Sequence, residues 1–145
     1  MPRIPRAIVD EMIAHAREEL PNEACGMVHG RDGAPIVVHR VRNVAASPYR
    51  YEMDPLRMLR LETQRDESGE SLFAIYHSHV ASEAHPSPTD VKMAFFPPGE
   101  KEREPMYPTT YYILVSLASE PPSVRAFFIR TGGRVDEERV EIVDG

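Results

Sequence analysis

The sequence predicts a mixed α/β domain in which helices pack on a β-sheet. The chain has 145 residues, which is the usual size of one compact domain. Segments with a helical period alternate with short apolar or β-branched runs, in the order helix, strands, helix, strand, helix, strands. Such an order is typical of helices that cover a sheet. We therefore expect residues 1–145 to form a single domain.

The first predicted elements are a helix and a hairpin. Over residues 5–20, apolar side chains recur on one helical face, and Pro21 follows this segment. This pattern predicts a first helix that ends before the proline. The runs 25–29 and 35–41 flank Arg31-Asp32-Gly33, which is a turn signal between two strands.

A second helix and a buried strand are predicted next. Asp54 precedes Pro55, as an N-cap residue precedes a proline at the first helical position, and this helix is expected to end near Ser68-Gly69. We expect its core face to consist of Leu56, Met58, Leu59 and Thr63. The apolar run 72–76 predicts a buried strand that leads directly into His77.

The last third of the chain predicts a short helix and three strands. Ser87 to Asp90 open a helix that is expected to run through Phe95. Residues 97–109 are rich in proline and charge, so we predict a loop, either a flap over the substrate or a solvated connection. The strands are expected over residues 111–117, 124–129 and 134–143, with a turn at Gly132-Gly133.

Composition restricts the classes of function. The formal net charge is −6 and no dense run of Lys or Arg occurs, which argues against nucleic acid as the main partner. The single cysteine, Cys25, excludes an internal disulfide and a cysteine-rich zinc site, and it fits a reducing compartment. We see no signal peptide or membrane-spanning segment, so we expect a cytoplasmic protein without a membrane partner.

The residues that indicate chemistry are His77, His79 and Asp90. Residues i and i+2 of a strand lie on the same face, so His77 and His79 at the end of the predicted strand can face one metal ion. Asp90 begins the next helix, and an intervening loop can bring its carboxylate to the same point. Two histidines and one carboxylate leave a fourth position open, as in catalytic zinc sites. The spacing from Ser87 to Asp90 is equally that of a helix capping box, which requires no metal.

These residues resemble the JAMM signature of the MPN-type metalloproteases. That signature is His-x-His, seven residues, Ser, two residues and Asp, as in His77, His79, Ser87 and Asp90. The segment 21–26, with Glu shortly before Cys-Gly, is similar to the acidic element of this family. The resemblance extends over almost the whole chain. It is strongest to the small bacterial branch, whose members include peptidases that release cysteine from a sulfur-carrier protein.

The resemblance implies a role for each matching position. His77, His79 and Asp90 would bind one Zn²⁺ per chain, with water as the fourth ligand. Glu23 would be the general base, and Ser87 would stabilise the tetrahedral intermediate. The implied fold is a mixed, curved β-sheet flanked by helices and related to the cytidine deaminases.

The implied reaction is hydrolysis of an amide bond by a zinc-dependent peptidase or isopeptidase. The resemblance indicates a ubiquitin-like, β-grasp sulfur carrier as substrate, cut after its C-terminal Gly-Gly to release cysteine or another amino acid. Two alternatives stay open on the sequence: a catalytically silent MPN-type scaffold, and a zinc hydrolase of a small-molecule amide. The intact set of five matching residues favours the enzyme over the scaffold.

The remaining candidate residues receive structural interpretations. His85 lies inside the motif loop, where we expect a solvated side chain rather than a further site residue. Cys25 enters a predicted buried strand, which favours a small apolar core residue over a nucleophile. His15 and His39 are expected on the surface, and His29 is expected to have no partner at the end of its strand.

Overall fold

The fold is built around a six-stranded sheet that carries helices on both faces. A computed structural model describes residues 1–144. The helices are α1 (Arg6–Glu18), α2 (Pro55–Ser68) and α3 (Pro88–Met93), with a short 3₁₀ turn at Thr131–Gly133. The strands are β1 (Arg3–Pro5), β2 (Cys25–Arg31), β3 (Ala34–Val41), β4 (Ser71–His79), β5 (Tyr111–Ser116), β6 (Ser123–Arg130), β7 (Arg134–Glu138) and β8 (Glu141–Val143). None of the helices within the described range is both long and apolar enough to span a bilayer.

The main sheet is mixed in its strand directions. Its order is β3-β2-β4-β5-β6-β7. Strands β4 and β5 run parallel, whereas the other neighbouring pairs are antiparallel. A parallel pair requires a long crossover connection, and the segment that contains α3 provides it. The predicted fold class, a mixed sheet flanked by helices, is confirmed.

The two faces of the sheet bury different helices. Ala74 and Tyr76 of β4 belong to the apolar core beneath α1, together with Met12 and Ile8 of that helix. Ile75 belongs to the core on the opposite face, beneath α2 and α3. Since side chains alternate along a strand, His77 and His79 at the end of β4 lie on the α2 and α3 face.

Helix α1 agrees with its predicted range, but one of its histidines does not lie on the surface. His15 is buried, and its Nδ1 is hydrogen-bonded to the Tyr76 hydroxyl at 2.7 Å while its Nε2 lies 3.4 Å from a Glu19 carboxylate oxygen. The surface assignment of His15 is therefore wrong. The reason is that a tyrosine of a strand more than sixty residues away supplies the partner that a buried imidazole requires.

Helix α2 has the predicted ends but a different core face. The Asp54 carboxylate accepts a hydrogen bond from the backbone N–H of Leu56 at 3.1 Å, and Gly69 closes the helix with a positive φ of 76°. However, Leu56 and Leu59 are 55% and 59% exposed, whereas Leu61 is fully buried. Met58 packs against the core as expected, but the rest of the expected face is wrong, because the sheet contacts the side of α2 that carries Leu61.

The C-terminal segment differs from the predicted single strand. Residues 134–143 form two strands, because pairing with β6 ends at Glu138 and the chain then moves away from the main sheet. Strand β8 pairs in parallel with β1 instead. Strand β1 was not predicted, because a run of three residues that ends in a proline is too short to carry a strand pattern.

His29 has two charged partners, contrary to the sequence-based expectation. Its ring is completely buried, with Nδ1 3.2 Å from a Glu70 oxygen and Nε2 3.1 Å from an Arg65 nitrogen. A guanidinium can only donate, so Nε2 accepts and the Nδ1 proton is donated to Glu70. Burial, and then the half-buried ring of His39 whose centroid lies 4.3 Å away, lower the pKa of His29 to about 4.

This arrangement makes fold stability depend on pH. The folded-state pKa of about 4 lies below the ordinary 6.5, so the unfolded chain binds more protons between these values and stability falls as pH decreases through this window. We predict that the melting temperature of metal-free protein falls more steeply from pH 7 to pH 4.5 in the wild type than in His29→Gln.

A variant of an exposed histidine provides the control. His85→Gln removes an imidazole from the surface, so its melting temperature should follow the wild-type slope. Parallel curves for the wild type and His29→Gln, measured by circular dichroism, would show that the buried His29 does not set the pH dependence.

Candidate metal centre

The end of β4 places two imidazole rings beside each other. His77 and His79 are both buried, and their ring centroids lie 5.1 Å apart at an interplanar angle of 64°. The intervening Ser78 faces the other way, where its Oγ accepts from the backbone N–H of Ala24 at 2.8 Å. The strand period thus directs both histidines to one point.

Asp90 reaches the same point from the first turn of α3. Ser87 is the N-cap of this helix, and its Oγ accepts from the Asp90 N–H at 3.0 Å. In return, Asp90 Oδ2 accepts from the Ser87 N–H at 2.9 Å, which completes a capping box. The helix ends at Met93, earlier than the predicted Phe95. Capping therefore holds the carboxylate rigidly toward the histidines.

One carboxylate oxygen joins the three side chains. Asp90 Oδ2 lies 3.0 Å from His77 Nε2 and 3.1 Å from His79 Nε2. Burial alone would raise the pKa of Asp90, but the two histidines and the Ser87 N–H hold it well below its usual range. Burial lowers the pKa of His79, yet its bonds to Asp90 and to the Glu83 carbonyl give a net rise. The cluster thus favours a charged carboxylate.

The orientation of His79 is fixed by a backbone bond. Its Nδ1 lies 2.8 Å from the Glu83 carbonyl oxygen. A carbonyl can only accept, so Nδ1 carries a proton and donates it, which leaves Nε2 as the nitrogen that faces Asp90 and could bind a metal ion. Metal-binding histidines usually donate their second nitrogen to an outer group in this manner.

Glu23 is brought to the centre by strand pairing. In the antiparallel pair β2 and β4, Cys25 lies opposite His77, so Glu23 precedes β2 beside the end of β4. The Ser78 N–H donates to the Ala24 carbonyl at 3.0 Å and reinforces this position. Position 26 requires glycine, because a Cβ there would collide with the Tyr76 ring. These contacts give a physical reason for a Glu placed shortly before Cys-Gly.

The Glu23 side chain is buried without a hydrogen-bond partner at one oxygen. It is 4% exposed, and within residues 1–144 its Oε1 contacts no donor. Burial raises its pKa to about 8, opposed by the charge of His79 and reinforced by that of Asp90. A buried carboxyl with such a shift beside other titratable groups is typical of functional sites.

The donor set fits zinc. His77, His79 and Asp90 each offer one ligand atom, and these atoms lie within 4.8 Å of one another. Two imidazole nitrogens and one carboxylate oxygen form the ligand set of a catalytic zinc ion, which leaves one position open. The packing of a carboxylate oxygen between two Nε2 atoms, with a further buried carboxyl nearby, is the environment that a divalent cation would neutralise.

Two cavities adjoin the ligand cluster. The first, of about 340 Å³, is lined by Glu23, His79 and Ser87 together with the exposed Tyr49. The second, of about 160 Å³, is lined by Asp90, Tyr51 and apolar side chains that include Met53, Met58, Met93, Met106 and Tyr107. The five residues matched to the signature therefore lie around one centre, with open space on both sides.

The other candidates contribute no ligand atom to this cluster. His85 is exposed, and its ring packs edge-on against Phe127 at 5.4 Å. Cys25 is buried, and burial raises the pKa of its thiol to about 12, which opposes a role as nucleophile. The loop 97–109 is held by the Met106 N–H bond to the Ala94 carbonyl and walls the smaller cavity.

Sequence reasoning did not identify three residues that support the centre. Ser78 lies inside the His-x-His motif, and only the alternation of β4 could have indicated its backward contact. Asn43 donates to the carbonyl of Glu23 and to that of Arg50 at 3.0 and 3.1 Å. Tyr51 stacks on His77 with ring centroids 4.4 Å apart. No local pattern marks Asn43 or Tyr51, since both act through loop geometry.

Comparison with known proteins agrees with this geometry. Residues 5–130 match the family described as prokaryotic homologs of the JAB domain, Prok-JAB. The chain is 33% identical over 139 residues to the CysO-cysteine peptidase of Mycobacterium tuberculosis, covering 94% of this chain and 88% of that protein. It is 40% identical over 92 residues to the probable TtuB-protein conjugate cleaving protease of Thermus thermophilus, covering 63% of this chain and 62% of that protein. A solved protein of Desulfitobacterium hafniense, 33% identical, has a TM-score of 0.82, covering 100% of this chain and 94% of its own. On this evidence, the chain belongs to the Prok-JAB family, within the JAMM/MPN group that its motif resembles.

Proposed function

We propose that this protein is a zinc-dependent peptidase or isopeptidase of the JAMM type, with residues 1–145 as one catalytic domain. Its substrate would be a ubiquitin-like sulfur-carrier protein, cut at the amide bond after the C-terminal Gly-Gly. The observation that carries this proposal is the cluster of three ligand atoms, one of which belongs to His79, a residue that lines the same cavity as the buried Glu23 and Ser87. A scaffold would not need to keep Glu23 buried without a partner, since such burial destabilises the fold.

The metal would be held by His77 Nε2, His79 Nε2 and Asp90, one Zn²⁺ per chain, with the fourth position left to water. When bound, zinc lowers the pKa of a coordinated water to about 7 and polarises a carbonyl group. The capping box and the Glu83 carbonyl hold two of the three ligands in place before the metal arrives. Little reorganisation is then required on binding.

Glu23 would serve as the general base. Its carboxylate would accept a proton from the attacking water and later return that proton to the leaving amine nitrogen. The raised pKa of about 8 describes the chain without metal, and a nearby divalent cation would lower it. A base whose pKa lies between its ordinary value and about 8 is well matched to proton transfer at neutral pH.

Ser87 would stabilise the oxyanion that develops on the scissile carbonyl. Its Oγ already accepts from the Asp90 N–H, so its own hydroxyl proton is free to donate to a substrate oxygen. Ser87 lines the same cavity as Glu23 and His79. Capping and catalysis are thus compatible, because the cap fixes the position of the donor.

The carrier substrate is supported by the names of two relatives, a CysO-cysteine peptidase and a probable TtuB-protein conjugate cleaving protease. An extended Gly-Gly tail suits a buried centre, because residues without side chains pass through narrow openings. The apolar cavity beside Asp90 offers space for larger side chains of the same tail. We place the reaction in the cytoplasm, which the single buried cysteine favours.

We predict that the zinc-loaded protein shortens a β-grasp carrier that ends in Gly-Gly followed by one cysteine. Intact mass spectrometry should show loss of that single residue, because the cut falls after Gly-Gly. The matched control is a carrier that ends in Gly-Gly itself, whose mass should not change.

The variant Glu23→Gln distinguishes a loss of catalysis from a loss of stability in this assay. The turnover rate should fall by about 10²–10⁴-fold, as expected for loss of a general base. The variant should melt no lower than the wild type at pH 7.5, since glutamine removes the cost of burying a carboxylate. An unchanged carrier mass with zinc-loaded wild type would refute the substrate, and equal rates for Glu23→Gln would refute the base.

We also predict that Ser87→Ala lowers both stability and turnover. The lost cap should cost about 1 kcal/mol of unfolding free energy, and the lost hydroxyl should lower kcat by roughly 10²–10³-fold. Asp54→Ala is the matched control, because it removes the equivalent cap of α2 and leaves every proposed ligand and catalytic residue unchanged. The two variants should lose similar stability, while only Ser87→Ala loses kcat. Equal kcat values in both variants would show that Ser87 caps α3 and has no catalytic role.

A further inference from the structure

The two proposed histidine ligands are held in different ways. His79 donates from Nδ1 to the Glu83 carbonyl at 2.8 Å. The corresponding atom of His77, Nδ1, is buried and has no hydrogen-bond partner among residues 1–144. Metal-binding histidines almost always have such an outer partner. The orientation of the His77 ring must therefore come from another contact.

That contact is the ring of Tyr51. The two ring centroids lie 4.4 Å apart, and the ring planes differ by 27°, which is a stacked arrangement. Stacking fixes the tilt of an imidazole plane, and it leaves Nε2 directed at Asp90. His77 is 1% exposed and Tyr51 is half-buried, so the imidazole ring is shielded from competing water.

The segment that carries Tyr51 is itself fixed. On either side of Tyr51, the Arg50 carbonyl accepts from Asn43 Nδ2 at 3.1 Å, and the Glu52 N–H donates to Asn43 Oδ1 at 2.9 Å. The Val44 N–H also donates to the Glu52 carbonyl at 2.8 Å. These bonds hold the backbone on both sides of Tyr51. The same Asn43 amide donates to the Glu23 carbonyl, so one side chain links this segment to the proposed base.

We propose that Tyr51 is a positioning residue for the zinc ligand His77, its stacked ring replacing the hydrogen bond that orients His79. This inference rests on the proposed metal site. The phenol hydroxyl plays no part in it, because the stacking involves the ring alone. Removal of the ring would let the imidazole rotate and would weaken zinc binding without removing a ligand atom.

The test is zinc affinity, measured by competition with a chromophoric chelator on wild type, Tyr51→Phe, Tyr51→Leu and Tyr51→Met. Tyr51→Phe keeps the ring, so its affinity should stay close to that of the wild type. Tyr51→Leu and Tyr51→Met should bind Zn²⁺ about tenfold more weakly, the lower end of the loss for outer-group substitutions. Tyr49→Leu is the matched control, since Tyr49 is 88% exposed in the same segment, and it should retain wild-type zinc affinity.

Cobalt spectra provide a readout that general destabilisation would not move. Co²⁺ loaded in place of zinc reports ligand geometry through its visible absorption bands. The bands of Tyr51→Phe should match the wild type, and those of the leucine and methionine variants should shift. Wild-type affinity and spectra in the non-aromatic variants, or an equal loss in Tyr51→Phe, would overturn the proposal. A wild-type protein that binds no zinc would instead refute the proposed function.

Discussion

The site depends on one buried carboxylate oxygen, Asp90 Oδ2. It accepts the Ser87 N–H at 2.9 Å and faces the Nε2 atoms of His77 and His79 at 3.0 and 3.1 Å. The first turn of α3, the end of β4 and the connection between them therefore converge on a single atom. Such a buried charge is stable only when it is fully paired. The capping bond and the two histidines provide that pairing in the chain itself, and a divalent cation bound to the three side chains would replace the histidine contacts.

The β-sheet positions the residues of the site, but one of these residues lowers the stability of the fold. The pairing of β2 with β4 fixes Glu23 beside the histidines, but it leaves Glu23 Oε1 buried without a donor. A polar group in that condition costs about 1–3 kcal/mol. The apolar cores on the two sheet faces offset this cost. Retention of a destabilising carboxyl at this position is expected of a catalytic group.

Two buried histidines show how hydrogen-bond partners distinguish a structural histidine from a proposed metal ligand. Both His29 and His79 have a fixed Nδ1 partner, Glu70 in one case and the Glu83 carbonyl in the other. In His29 the Nε2 atom is occupied by Arg65, so the ring serves only to connect α2 with β2. In His79 the Nε2 atom faces the ligand cluster. Both rings are buried, so the two histidines differ in the group that faces Nε2 and not in their exposure to solvent.

Local sequence patterns predicted those parts of the site whose positions depend on residues close together in the chain. The alternation of β4 placed His77 and His79 on one face, and the cap of α3 placed Asp90 near them. Glu23 could not be derived from spacing, because its position depends on the register of two strands distant in sequence. It was identified only by resemblance.

The wrong predictions also concern features that depend on contacts between residues distant in sequence. The buried face of α2 and the partners of His15 and His29 are set by tertiary contacts. Tyr51 is absent from any motif for the same reason, since a loop held by Asn43 brings it to His77.

The proposed function requires that His77, His79 and Asp90 bind one zinc ion together. It is tested most directly by crystals of the zinc-loaded protein, with anomalous diffraction recorded on both sides of the zinc absorption edge. We expect one anomalous peak per chain, about 2.0–2.2 Å from Nε2 of each histidine and from a carboxylate oxygen of Asp90. A peak bound to other residues, or no peak in protein exposed to excess zinc, would contradict it.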